Sequence, residues 1–362
     1  FLERYGTDYG VPVGWEKWLL DLVGFATLSD MVPLVGENRM LAYYGLQVIK
    51  KTRRIGLRLL LEKNNIYLNN LTETDLTFTV APRLNAASRM DTPMLAFDLL
   101  ATDDPTRAHQ IVCTLEEINT LRKTLVAQIT KAAHATIEHR ALGGGLGEIV
   151  VVGNPDWRPA VLGLVANKLV ETYGKSFFVW GEAGDGSIKG SCRMIDEHHA
   201  ALLFQALPEG MVLHAGGHQA AGGFAVAKDK IHFLEDALNQ ALTLVDHTAD
   251  TTHSVEAIEL PLACATARHL GVVRRFAPFG VGNTEPMFLF EQVRVVSTKR
   301  FGKQKEHLEA MLQDETGSAT SFTFFAPDAL IEKLAPGAIV SVLGTLEAGW
   351  RGGVRVRIKE VR

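Results

Sequence analysis

Residues 214–224, HAGGHQAAGGF, place two glycines directly ahead of a histidine. Glycine has no Cβ, so the backbone at Gly216 and Gly217 can come close to a ligand. Their amides, together with the His218 imidazole, make a compact site for an anionic oxygen. The bland alternative is a glycine-rich turn carrying a solvated histidine. His214 and His218 are four apart and could chelate a metal from one helix face, but the glycines between them argue against a helix. Upstream, KGSCRM carries Ser191 and Arg193 at the end of an expected strand. Alternate strand positions face one side, so this hydroxyl and guanidinium suit a phosphate clamp. Alone the pair reads equally well as two side chains that simply face water. Beside the Gly-Gly-His loop it points to phosphate binding.

Those residues need a scaffold, and hydropathy patterning supplies one. With 362 residues the chain exceeds one ordinary core, so two or three domains are expected. Asp103, Asp104 and Pro105 start a helix, apolar residues from Ala108 to Ala132 recur at three- and four-residue intervals, and Gly143-Gly144-Gly145 stops it. This long amphipathic helix reads as a bridge between domains. Beyond it, EIVVVGNP, WRPAVLGLVANKLVETYG and SFFVWG read as strand, helix and strand, a β/α unit with parallel pairing. A helix over 196–207, the glycine loop, a strand at GFAVA and a helix from 230 to 246 follow. Residues 247–254 form a polar linker. Five short strands after it suit a small OB-type barrel. Towards the N-terminus, residues 15–30 read as an apolar helix or strand, MLAYYGLQVIKK and LRLLLEKNNI as helices. DLTFTV reads as a strand through the alternation of Leu76, Phe78 and Val80, giving way to a polar segment at Pro82.

Composition narrows the class. Apolar residues make up 47% and charged ones 22%, the balance of a folded chain. Cys113, Cys192 and Cys264 are far apart with no C-x-x-C pair, which disfavours a zinc knuckle or disulfide framework and fits a reducing cytoplasm. No apolar run reaches the roughly 20 residues needed to span a bilayer, so no membrane role is expected. The net charge of −4 means that any nucleic-acid contact must come from local arginine clusters. In the last third, Lys299, Arg300, Lys303 and Lys305 surround Phe301, and Arg351, Arg355 and Arg357 follow Trp350. Cations along a backbone with aromatic faces between them suit single-strand binding, although lysine-rich hairpin tips are commonly only solubilising.

The order GNPDW, GSCR, AGGHQAAGGF resembles the DHH-associated domain of the DHH phosphoesterase superfamily. FATLSDMVPLVGENRMLAYYGL resembles the fourth motif of that superfamily, APRLNAASRM the motif that follows it in RecJ-type nucleases, and RRFAPFGVGNTEPMF the entry to their OB domain. The resemblance is to the RecJ family of single-strand-specific DNA exonucleases, from about residue 15 to the end. It implies an α/β chain in four parts. These are the C-terminal portion of a DHH phosphoesterase domain over 1–102, a linking helix over 103–142, a DHH-associated substrate-binding domain over 143–246, and an OB-fold nucleic-acid-binding domain over 254–362.

Site residues carry over position by position. Asp30 matches an aspartate that helps hold two catalytic ions, Mn²⁺ or Mg²⁺, which favour carboxylate oxygens and activate water. Arg83, Asn85 and Arg89 match positions facing the scissile phosphate and incoming strand. Ser191, Arg193, Gly216, Gly217 and His218 match substrate-gripping positions. Arg158, Lys299, Arg300 and Arg355 are further candidate contacts. The sequence departs from the family where Arg158, Pro159 and Ala160 follow Trp157 in place of His-Pro-Gly, and where Ser88 replaces a usual Gly. The first three superfamily motifs, including Asp-His-His, are expected before Phe1, and the missing initiator Met fits an incomplete reading frame. The resemblance implies 5′-to-3′ hydrolysis of single-stranded DNA in recombination and repair, in the cytoplasm, as a monomer working with single-strand binding protein and a helicase. The piece at hand is expected to be inactive by itself. Two alternatives are a phosphoesterase acting on small nucleotides, disfavoured by the long helix and the barrel, and a non-catalytic nucleic-acid-binding protein, disfavoured by retention of Asp30, Arg83, Arg193 and His218.

Overall fold

The structure, a computed structural model, describes residues 2–90, 92–195, 198–245, 256–302, 305–324, 326–349 and 352–362. Lys303, Trp350, Arg351 and the expected linker 247–254 lie outside the described residues. In chain order the helices α1 (Leu2–Tyr5), α2 (Leu20–Ser29), α3 (Gly36–Ile49) and α4 (Ile55–Lys63) come first. A one-turn helix α5 (Glu73–Asp75) runs through a π-turn, Leu76–Val80, into α6 (Ala81–Arg89), followed by α7 (Met94–Ala101) and the 38-residue α8 (Pro105–Leu142). Strands β1 (Ile149–Gly153), β2 (Ser176–Glu182), β3 (Ile188–Arg193), β4 (His214–Gly217) and β5 (Ala221–Val226) alternate with α9 (Leu162–Tyr173) and α10 (Ala200–Ala206), and α11 (Leu234–Leu244) follows. The last part holds β6 (Ala257–Glu259), α12 (Ala267–Arg274), β7 (Met287–Phe301), β8 (His307–Gln313), β9 (Ser318–Thr323), α13 (Asp328–Lys333), β10 (Ile339–Ala348) and β11 (Val354–Val361). No helix among the described residues is long and apolar enough to cross a membrane.

The expected strand over Leu76–Val80 is helical instead. Leu76 and Val80 are fully buried while Phe78 between them is 66% exposed, so burial recurs every four residues, not every two. Thr72 and Asp75 form a reciprocal capping box that starts the helix, a local signal that outweighs the β-branched character of LTFTV. Arg83, Asn85 and Arg89 therefore sit on α6 and not in a turn after a strand.

The chain forms two compact units. One comprises Arg53–Lys63 and Val80–Thr252. Its five-stranded sheet has the order β1-β2-β3-β5-β4, parallel between β1 and β2 and antiparallel elsewhere. The run Ile149-Val150-Val151-Val152 is buried on both faces, as a strand covered on both sides must be. Ile149 and Val151 join Cys192, Phe178 and Phe224 against α10 and α11, whereas Val150 and Val152 join Phe177 and Val179 against α8 and α9. The Arg140 side chain at the end of α8 donates to Val151 O and pairs with Glu235 of α11, whose carboxylate also accepts from the Val151 amide. The long helix thus packs on the sheet at one end and on α4, α6 and α7 at the other.

The second unit comprises Phe1–Thr52, Asn64–Thr79 and His253–Arg362. Here α2 and α3 cross at Gly24 and Gly45, where a Cβ on Gly45 would lie 2.5 Å from Gly24 Cα; the close approach requires glycine on both helices. The strands β10-β11-β9-β8-β7 close into a barrel through the β10–β7 pairing, as five strands of the expected kind, with the short β6 added beside β7. Arg39 donates to Phe276 O at 2.8 Å and Phe279 N to Glu73 at 2.8 Å, tying the segment that enters the barrel to the N-terminal part of the same unit.

Candidate phosphate-binding site

Three registers place the Gly-Gly-His residues. Ser191 of β3 lies opposite Gly223 of β5, which lies opposite Gly216 of β4. Arg193 lies opposite Ala221, and the His218 amide donates to Ala221 O at 2.9 Å, continuing the same row. Residues directly opposite in an antiparallel sheet project to the same face, so Ser191, Arg193, Gly216 and His218 share one side. Cys192, between Ser191 and Arg193, points the other way into the core, where burial pushes its thiol up to about 12. The shared side is the one that α8 and α9 cover further along: a Cβ on Gly163, in the first turn of α9, would lie 3.4 Å from the Arg193 guanidinium and 3.6 Å from Ser191 Oγ.

The glycines do not form a loop. Gly216 and Gly217 belong to the edge strand β4, and only the segment from His218 to Ala220 turns. The two have different reasons to be glycine. A Cβ on Gly217 would meet Ala221 O at 2.4 Å, so the hairpin itself excludes a side chain there. A Cβ on Gly216 would meet nothing within 4 Å. Gly223 leaves open floor beside Ser191, the nearest neighbour of a Cβ there being 3.9 Å away, and Gly216 extends that floor one strand further. His218 is exposed at the rim, in the turn just after β4, two strand positions over from Arg193, about 10 Å across at the usual strand spacing.

The arginines of α6 reach the same region. Arg89 donates to Ala160 O at 2.9 Å, just ahead of α9. Its pKa lies below the ordinary value, first through burial and then through the charge of Arg193. Asn85 and Arg89, four apart, share a helix face, while Arg83 projects about 120° away from Arg89. Arg83 pairs with Glu116 of α8 at 2.6 Å. Arg158 caps the short turn before α9 and is half-buried. Sequence reasoning overlooked Arg122 and Asn119 of α8: Arg122 is 9% exposed and donates to Asn119 Oδ1 at 2.9 Å. The visible signal was a charged residue in register with the apolar stripe of a long helix.

The barrel treats its cations differently. Arg355, expected to track a strand, is only 7% exposed, lies 3.6 Å over the Phe322 ring and pairs with Glu347. It packs the barrel wall. Arg357 also pairs with Glu347, at 3.3 Å. Arg300 reaches Asp328 at 3.7 Å, and Lys299 stands exposed opposite Glu309. An aromatic row that the sequence reading did not anticipate runs from β7 across β8 to the end of β9: Phe301 faces His307 at 5.1 Å between ring centres, and His307 faces Phe324, just past β9, at 5.1 Å.

Asp30 caps the C-terminal end of α2 and is exposed, ahead of Met31 in a left-handed conformation. Among the described residues, no group of three or more His, Cys, Asp or Glu side chains is placed to hold a metal ion. Mn²⁺ and Mg²⁺ require several hard oxygen ligands, so the described residues do not fit a two-metal centre, and no hydrolytic step is assigned to them.

Residues 146–249 match the DHHA1 domain and residues 257–360 the RecJ OB domain. The single-stranded-DNA-specific exonuclease RecJ of Bacillus subtilis (strain 168) is 29% identical over 335 residues, covering 91% of this chain and 41% of that protein. The RecJ of Escherichia coli (strain K12) is 30% identical over 309 residues, covering 83% and 52%. A crystal structure of RecJ in complex with Mn²⁺ from Thermus thermophilus matches with a TM-score of 0.79 at 26% identity, covering 98% of this chain and 51% of that one. The chain spans about half the length, or less, of these relatives.

Proposed function

We propose that this chain, a homologue of the RecJ exonucleases with their DHHA1 and OB domains, grips the phosphodiester backbone of single-stranded DNA. The observation that carries this reading is the shared sheet face of Ser191, Arg193, Gly216 and His218, floored by glycine and flanked by Arg89. A guanidinium, a hydroxyl and an imidazole around open backbone suit a tetrahedral anion, which accepts hydrogen bonds from all of them. Asn85 and Arg89 face the scissile phosphate, and Arg83 and Arg158 line its approach. In the barrel, Phe301, His307 and Phe324 offer stacking faces to bases, with Lys299 and Arg300 beside the backbone.

The parent activity is 5′-to-3′ exonucleolysis by water activated at Mn²⁺ or Mg²⁺, in recombination and repair, as a monomer alongside single-strand binding protein and a helicase. Asp30 contributes one ligand to that centre. The chain by itself binds without cutting, because its described residues bring no ligand cluster around Asp30. Arg193→Ala and His218→Ala test the grip by fluorescence anisotropy with a 5′-phosphorylated oligothymidine. Arg193→Ala is expected to weaken binding at least tenfold and His218→Ala severalfold; unchanged affinity in both refutes the assignment. Release of labelled mononucleotides from a nuclease-free preparation with Mn²⁺ overturns the binding-only reading of this chain.

A further inference from the structure

One buried cation in the α/β unit is not explained by packing. Arg122 projects from the middle of α8, is 9% exposed and gives one donor to Asn119. Its Nε is buried with no hydrogen-bond partner. A guanidinium taken from water ordinarily finds an acceptor for each donor, since leaving one unmet carries the full desolvation cost. The charges around it are like charges: burial lowers its pKa, and Arg89 and Arg83 lower it further. Arg89 in turn feels Arg193. Geometry joins the same residues. Arg83 is anchored to Glu116, on α8 six residues before Arg122, while Arg89 is anchored to Ala160, three residues before Gly163, where Ser191 and Arg193 lie.

We propose that Arg122, oriented by Asn119, is a further phosphate-contacting residue of this site, and that the backbone of a bound strand supplies the counter-charge its guanidinium lacks. This rests on the phosphate grip by Arg193 and deepens it. The site then takes a substrate carrying more than one phosphate, one on the sheet face and another against the long helix, so an oligonucleotide suits it better than a mononucleotide. Arg83 is offset by Glu116, but Arg89, Arg122 and Arg193 repel in the free chain, and their convergence becomes favourable when a polyanion enters.

The test compares Arg122→Met, Arg122→Lys and Arg193→Ala in the full chain, binding a 5′-phosphorylated oligothymidine over a salt series, with circular dichroism and thermal melting as checks of folding. Arg122→Met is expected to bind about tenfold more weakly, with a salt slope shallower by about 0.7, the share of one phosphate on a single strand. Arg122→Lys keeps the charge and loses the planar fork of donors, so it is expected to keep the slope and lose about threefold in affinity. A folded Arg122→Met with unchanged affinity and slope overturns the proposal; if Met prevents folding, unchanged affinity in Arg122→Lys does so. When Arg193→Ala weakens binding and the Arg122 variants do not, this inference alone fails. When none of them does, the phosphate grip fails with it.

Discussion

The α/β unit and the barrel both bring arginines together, and they treat them in opposite ways. In the barrel, Arg355 and Arg357 converge on one carboxylate, Glu347, and lie on the faces of Phe322 and Phe324. In the α/β unit, Arg89 and Arg122 are anchored to a backbone carbonyl and an amide oxygen, and the charges that act on them are those of other arginines. Clustered cations thus build a wall in one place and an anion site in the other. Counting basic residues does not find a nucleic-acid site; finding those that lack a counter-charge does. A buried ion pair balances its charge, whereas a cluster of like charges stays high in energy until an anion arrives.

Four measurements bear on this contrast. The largest effect is expected from Arg355→Met, which leaves Glu347 with one partner and removes the guanidinium from Phe322. The barrel should lose about 2–3 kcal/mol of stability. Single-strand affinity of the folded variant should change less than twofold; a large loss of affinity with stability intact would place Arg355 at the DNA and collapse the distinction. Arg89→Ala should do the reverse, weakening binding about tenfold, equivalent to ~1.4 kcal/mol, while the melting temperature holds or rises as one like charge is removed.

Gly216→Ala separates floor from hairpin. A methyl there meets no protein atom, so folding should be unaffected, while binding should weaken about threefold as the floor is raised, ~0.6 kcal/mol. Gly217→Ala is its control and should disrupt the hairpin, visible as faster amide exchange across β4 and β5.

The smallest effect concerns Glu285, whose pKa is raised, first by burial and then by Glu347, against the Thr345 hydroxyl and Lys359. A raised folded-state value means that Glu285 supports folding most fully when protonated, below its ordinary 4.5, and that this contribution fades as pH rises through the raised value. Glu285→Gln should therefore flatten the decline in barrel stability above pH 4.5 and raise stability slightly near neutrality. Identical melting profiles for variant and parent from pH 4.5 to 7 would show that the carboxylate is not strained there.

Much of the architecture was readable before any coordinates. The 105–142 helix follows from its caps and apolar spacing, and the β/α unit from its continuous apolar strands. Five barrel strands follow from short alternating runs. The error at 76–80 is instructive, because Leu-Thr-Phe-Thr-Val satisfies an alternating pattern and a four-residue pattern at once. Only the burial of Leu76 and Val80 with Phe78 exposed distinguishes them.

Of the candidate site, the amino-acid order alone determined what backbone geometry propagates locally: Ser191 and Arg193 on one strand face, and Asn85 with Arg89 once α6 is known to be helical. Tertiary structure decided the rest. It split Gly216 from Gly217 by where a Cβ would point, turned Arg355 inward, and gathered Arg89, Arg122 and Arg193. Side-chain direction along a strand or helix is a short-range property. Whether a cation meets a carboxylate, a carbonyl 71 residues away or another cation is settled only when distant segments pack, and that choice separates a structural arginine from one that awaits a phosphate.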